Sequence, residues 1–293
     1  MRGDQAERLR ELARRAPVAT DMRQSAGPRA RTLVVTSGKG GVGKTNVTVN
    51  LALAMAKRGV QTVLFDADMG MANVDVLLGI SPPHSIADVL RGQQSLLSVM
   101  VEVNSYLRIV PGGSGISELA NLEGPQLDAM IAQLGTLENQ ADLILIDTGA
   151  GISRTVLNFV LAADEILVVT TPEPTAVTDA YGMIKEIDAK NPNAKVQLLV
   201  NMVESEAEGR SIAGKLIMIV ERFLSLKVSY IGCIERDSNV SRSVLQQQPF
   251  FNAYPYSTAT RRLNMLAGTL LAQREQKAQK QGFFSRLVGQ IFG

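Results

Sequence analysis

Lys39-Gly40-Gly41-Val42-Gly43-Lys44-Thr45 lies between Arg31-Thr32-Leu33-Val34-Val35-Thr36 and a run from Asn46 to Lys57 in which Val47, Leu51 and Met55 share one stripe. The first flank is rich in β-branched residues and predicts a strand. The second has helical spacing and small alanines between its larger side chains. A strand, a glycine-rich turn and a helix start are the context that a phosphate loop requires. Gly38 through Asn46 are therefore the candidate polyphosphate cradle, with backbone N–H groups and the positive helix end facing an anion. In such a cradle Lys44 reaches the β- and γ-phosphates, and the Thr45 hydroxyl holds Mg²⁺. Lys39 is a second lysine that an ordinary phosphate loop does not need.

Outward from the loop, apolar runs alternate with helical patterns from residue 31 to about 270. Strands are expected at Leu33–Thr36, Thr62–Asp66, Leu107–Val110, Leu143–Asp147, Glu165–Thr170, Val196–Asn201 and Val228–Ile231. Runs such as Leu143-Ile144-Leu145-Ile146 lack alternation, as in parallel strands covered on both faces. The expected fold class is α/β: a doubly wound, mostly parallel sheet with helices on both faces, and ligands beyond the carboxyl ends of the strands. Three units are expected: an arm and linker at 1–30, the nucleotide-binding body at 31–273, and an amphipathic segment at 274–293.

Several classes are set aside by composition. The chain has 293 residues, a formal charge of only +2 and a single cysteine. There is no polycationic character to argue for nucleic acid, no disulfide framework, and no apolar run near the ~20 residues of a membrane span. The arginine-rich start lacks the apolar segment of a secretory signal, so an intracellular protein is expected.

Three strand ends add chemistry to the loop. Asp147 closes an apolar strand and opens Asp147-Thr148-Gly149-Ala150-Gly151, a placement that suits a Mg²⁺ shell. Asp66 and Asp68 follow the strand from Thr62; Asp66 is the candidate for Mg²⁺ contact through water, and Asp68 for positioning the attacking water. No Asn-Lys-x-Asp guanine signature is present. Asn201, whose amide can both donate and accept, is the candidate reader of an adenine edge. Glu235 and Arg236, after the next strand, are candidates to cover the base.

These pieces together resemble the deviant Walker A ATPases, the MinD/ParA class of SIMIBI-type P-loop NTPases. The resemblance spans about residues 31–270. It implies a slow ATPase using ATP and Mg²⁺, with Lys39 reaching across a sandwich homodimer to phosphates held by the partner. Lys39, Lys44 and Asp68 are then the catalytic set. The paired interface cysteines of the iron–sulfur members are missing. The flagellar branch fits best, through Asp66-Ala67-Asp68-Met69-Gly70-Met71-Ala72-Asn73-Val74-Asp75, through Glu173-Pro174-Thr175-Ala176-Val177-Thr178-Asp179-Ala180-Tyr181, and through the N-terminal arm. A division-site positioning member and a GTPase-activating adaptor with incidental hydrolysis remain open alternatives.

The arm has Asp4 and Glu7 as a capping box, and Ala6, Leu9, Leu12, Ala13 and Ala16 form one narrow apolar stripe. A helix this short folds on a partner rather than alone. The arm is similar to the element with which the flagellar branch stimulates the signal-recognition-particle-type GTPase FlhF. Asp4, Gln5, Ala6, Leu9 and Arg10 are the corresponding contact residues, and Gln5 would enter the GTPase site. Flagellar switch-ring components are further implied partners.

At the other end, Phe283, Phe284, Leu287, Val288, Ile291 and Phe292 fall on one side of a helix, with Arg274, Lys277 and Lys280 upstream. This is the form of an interfacial anchor for an anionic membrane. The expected location is cytoplasmic, peripherally bound to the inner face of the cell membrane. A tail packed back onto the sheet is the other reading.

Overall fold

The computed structural model describes residues 29–68, 73–113, 133–273 and 282–292. Its eight strands are β1 (Arg31–Thr36), β2 (Thr62–Ala67), β3 (Val101–Asn104), β4 (Leu107–Val110), β5 (Leu143–Thr148), β6 (Glu165–Thr170), β7 (Val196–Val203) and β8 (Val228–Glu235). They form one sheet in the order β3-β4-β2-β5-β1-β6-β7-β8. Every pairing is parallel except β3 with β4. β3 is a strand that sequence reading did not anticipate. Its short, half-exposed pattern at the sheet edge carries little of the apolar signal that marks a central strand.

The described helices are α1 (Lys44–Ala56), α2 (Asn73–Leu78), α3 (Ile86–Leu90), α4 (Leu96–Val99), α5 (Arg154–Ala162), α6 (Pro174–Lys190), α7 (Glu206–Phe223), α8 (Ser238–Leu245), α9 (Phe250–Ala253), α10 (Thr258–Ala272) and α11 (Phe283–Phe292), with a further helical segment at 133–138. Alternation along each strand splits the apolar side chains into two layers. Leu33, Val35, Leu64 and Leu145 pack beneath α1 and α10, against Leu51, Met55, Leu263 and Leu266. Val34, Phe65, Ile144 and Ile146 face the opposite side, against Phe159 of α5, Ile184 of α6 and Phe283 and Phe284 of α11. Residues flanking β1 end up at the carboxyl edge of a sheet sealed on both faces, and the phosphate loop emerges there.

Candidate nucleotide site and its relatives

α1 begins at Gly43, whose φ of 83° no L side chain adopts without strain, and it has neither a side-chain cap nor an acid in its first turn. Its leading amides are thereby kept for an external anion. Gly41 also has a left-handed φ of 79°, and a Cβ there would meet nothing within 4 Å. The loop is tied down at its start, where Ser37 Oγ donates to the Lys39 carbonyl at 2.9 Å and Gly151 N donates to the Ser37 carbonyl at 2.9 Å.

Lys44 Nζ lies 2.9 Å from Asp147 Oδ1, which also accepts from Thr48 Oγ1 at 2.8 Å. The sheet register sets Asp66 of β2 directly beside Asp147 of β5. Asp66 Oδ1 accepts from the Asp68 amide at 3.0 Å, and Gly112 packs so closely that a Cβ there would clash with Asp66. Burial, and then the neighbouring Asp147 charge, push the Asp66 carboxyl up to about 8. Asp66 Oδ2 and Asp147 Oδ2 are both buried and without a partner among the described residues. Two idle carboxylate oxygens are hard donors that suit Mg²⁺, and Lys44 Nζ, bound to Asp147, also lies 3.4 Å from the Thr45 hydroxyl. Asp68 lies past the strand end, with Asn73 Nδ2 at 3.5 Å from its Oδ2 and Gly149 of the Asp147 loop alongside.

Beside the loop opens a cleft of about 530 Å³ lined by Gly40, Gly41, Val42, Thr171, Pro172, Glu173, Met202 and Arg236. Its size lies in the range of small-molecule sites. Arg236, the candidate base cover, lines this cleft. Glu235 does not. Its carboxylate grips Arg262, with both oxygens 2.9 Å from Nε, and that hydrogen bonding holds it below the usual carboxylate range. Glu235, expected to cover the base, is in this conformation committed to Arg262 and does not line the cleft. Asn201 is at the loop, but its Nδ2 donates to the Val42 carbonyl at 2.8 Å. In this conformation it braces the loop and does not offer that amide hydrogen to a base.

Lys39 is engaged by side chains outside the loop. Its Nζ lies 2.5 Å from Glu173 Oε1 and 2.7 Å from Thr175 Oγ1, at the start of α6. The hydrogen bond from Lys39 lowers the Glu173 carboxyl from its ordinary range. Sequence reading missed Glu173 and Thr48 as site residues. Thr48 was legible as i+4 from Lys44 on the same helical face, whereas the Glu173 pairing is made only by the fold.

In this structure the tail is packed back onto the sheet, the other reading of its sequence. Phe283, Phe284 and Leu287 are buried in the core, and Val288 and Ile291 are half-buried. Phe284 packs edge-on to Phe65 with ring centres 6.0 Å apart, and Phe283 lies 6.4 Å from Phe159. Burial of each such side chain stabilises by about 1.5–3 kcal/mol, so a face that reads as lipid-seeking is satisfied by the protein itself. The side chain of Phe292, the basic stretch Arg274–Lys280 and the arm residues Asp4, Gln5, Ala6, Leu9 and Arg10 lie outside the described residues.

The ParA profile, described as NUBPL iron-transfer P-loop NTPase, matches residues 29–271. The antiactivator FleN of Pseudomonas aeruginosa is 42% identical over 78% of this chain and 81% of its own. The flagellum site-determining protein YlxH of Helicobacter pylori is 37% identical over 87% of this chain and 89% of its own. The chain belongs to the ParA/MinD family of P-loop NTPases, in its flagellar FlhG (YlxH/FleN) branch. Among solved structures, MinD of Pyrococcus horikoshii complexed with Mg-ADP superposes with a TM-score of 0.67 at 25% identity, over 83% of this chain and 98% of that one. MinD in a MinC:MinD complex from Aquifex aeolicus gives 0.68 at 25%, over 86% and 100%. The iron-transfer description does not extend to this chain's site, since its single cysteine, Cys233, is buried in β8.

Proposed function

We propose that this chain is an ATP-dependent dimerising switch that controls the number and placement of flagella. The reading rests most on one observation: a phosphate loop whose inner lysine is buried on Asp147 while its extra lysine is held at the surface, in a chain 42% identical to FleN. ATP phosphates would lie on the amides from Gly40 to Thr45 and draw Lys44 away from Asp147. Thr45, Asp66 and Asp147 would hold Mg²⁺, which supplies neutralising charge at the phosphates. Asp68, beside Gly149, would orient the attacking water. Lys39 leaves Glu173 and reaches the nucleotide of a second copy.

In this proposal the dimer presents two tails to an anionic membrane, and avidity makes their combined binding far stronger than that of one tail. The docked helix is the form of the tail in the monomer, and lipid binding requires its release. The arm, Asp4 to Arg10, stimulates an FlhF-type GTPase, and switch-ring components are the further partners. MinD relatives at 34% identity, such as that of Synechocystis, keep a division-positioning role as the second reading, but the flagellar relatives are more similar, at 42% and 37% identity.

Mass measured by light scattering with ATP and Mg²⁺ tests the switch: Asp68→Ala is expected to persist as a dimer, and a monomer under these conditions refutes the proposal. Removing residues 1–20 is expected to abolish stimulation of FlhF GTP hydrolysis without affecting that dimer. If the full chain leaves FlhF hydrolysis unchanged, the second reading gains.

A further inference from the structure

α11 is fastened by polar contacts at two points as well as by its apolar face. At its start the Glu138 carboxylate, itself buried, accepts a hydrogen bond from the Phe284 amide at 3.1 Å. Gly282 sits so close to that carboxylate that a Cβ would collide with it. One turn on, Arg286 donates from Nε to the Ala162 carbonyl and from Nη2 to Asp164 Oδ1, both at 2.7 Å. Asp164 is in turn fixed by β1, since its Oδ2 accepts from the Thr32 amide and hydroxyl at 2.8 Å each.

The elements beneath the helix lead into the nucleotide site. Phe65, which meets Phe284, directly precedes Asp66 in β2. Phe159, which meets Phe283, belongs to α5, the helix that follows the Asp147–Gly151 loop. Phe65 and Phe159 also face each other at 6.2 Å. Lipid can replace the apolar half of this docking, because a phenyl ring leaving one apolar medium for another changes little in free energy. It cannot replace a buried carboxylate placed on a helix N-terminus or a guanidinium wedged between a carbonyl and a carboxylate. Bias between docked and free tail therefore resides in the polar contacts.

We propose that Glu138 and Arg286 form a two-point latch that holds α11 on β2 and α5, and that this latch links tail release to the arrangement of Asp66 and the Asp147 loop. The proposal deepens the switch reading and rests on it for the purpose of release, but the latch itself is testable without a membrane. Because linkage is reciprocal, a weakened latch must alter nucleotide preference as surely as nucleotide alters the latch.

The test is hydrogen exchange of the 283–292 amides in full-length protein with Mg-ADP, for Arg286→Ala and Gly282→Ala. The first removes the grip on Asp164, and the second pushes Glu138 off the helix start. Ser285→Ala, on the exposed side of the same helix, is the control. Both latch variants are expected to exchange about tenfold faster while the control is unchanged, and the affinity for ATP relative to ADP is expected to rise about fivefold. Unchanged exchange in both variants overturns the latch. Faster exchange with an unaltered ATP-to-ADP ratio overturns the link to the nucleotide site. Sedimentation with phosphatidylglycerol-containing vesicles separates the underlying reading: a released tail that does not bind them refutes the membrane anchor and leaves the latch standing.

Discussion

The phosphate loop carries two lysines five positions apart, and the fold treats them in opposite ways. Lys44 and Asp147 form a pair with side-chain exposures of 7% and 0%, whereas Lys39 and Glu173 retain 35% and 56%. A buried pair is costly to break by halves, because the remaining charge is stranded away from water. An exposed pair is worth little and exchanges partners readily. Lys44 is thus built into the subunit that owns it. Lys39 stays half-exposed on a partner it can exchange, which suits the proposed reach to a second subunit's nucleotide.

Substitution separates the two most sharply. Lys44→Ala strands Asp147 beside an already crowded Asp66, and the expected loss is about 3 kcal/mol of stability, seen as a melting temperature lower by about 6–12 °C. Lys39→Ala is expected to melt with wild type, yet to stay monomeric with ATP in light scattering. Equal melting temperatures for the two variants would erase the distinction.

Much of this arrangement is legible in the sequence, and the reasons are local. The loop is read from contiguous residues, and the strand ends from apolar runs that stop at Asp66, Asp147 and Asn201. Seven of the eight strands follow from the same signal; β3 does not, because a half-exposed edge strand buries too little to mark itself. What sequence cannot supply is pairing across the fold. Nothing local brings Glu173 to Lys39, turns Glu235 toward Arg262, or sends Asn201 Nδ2 to the loop backbone. The tail shows the limit most plainly, since an aromatic helical face is the same pattern whether it meets lipid or Phe65 and Phe159. Only the partner groups Glu138 and Asp164, more than a hundred residues upstream, reveal the docking.

The buried half of the comparison also has a pH signature. The Asp66 carboxyl is raised from 3.8 in the unfolded chain to about 8 in the fold. Between these values the native state holds a proton that the unfolded state has lost, so stability of the nucleotide-free protein must fall as pH rises through that window. Chemical denaturation between pH 5 and 8 is expected to show this decline in wild type and a flatter profile in Asp66→Asn. Mg²⁺ bound at the carboxylates favours the ionised form, so Mg-nucleotide binding near pH 7 is expected to release a proton, measurable as a buffer-dependent enthalpy in calorimetry. A binding enthalpy independent of buffer would contradict the raised Asp66.

The exposed half yields the smallest effect, and the one most specific to Lys39. If Glu173 merely rests beside the lysine, removing its charge has no consequence for assembly. If it holds Lys39 back in the monomer, Glu173→Gln lowers the competition that a second subunit's phosphates must overcome. The exposed position of Glu173 limits the size of the change. A few-fold lower protein concentration at the monomer–dimer midpoint with ATP is expected, with no change in monomeric ATP affinity, since Lys44 and the backbone cradle are untouched. The reverse outcome, a weaker dimer, would mean that Glu173 contributes to the assembled interface, and Lys39 would then need its neighbour in both states.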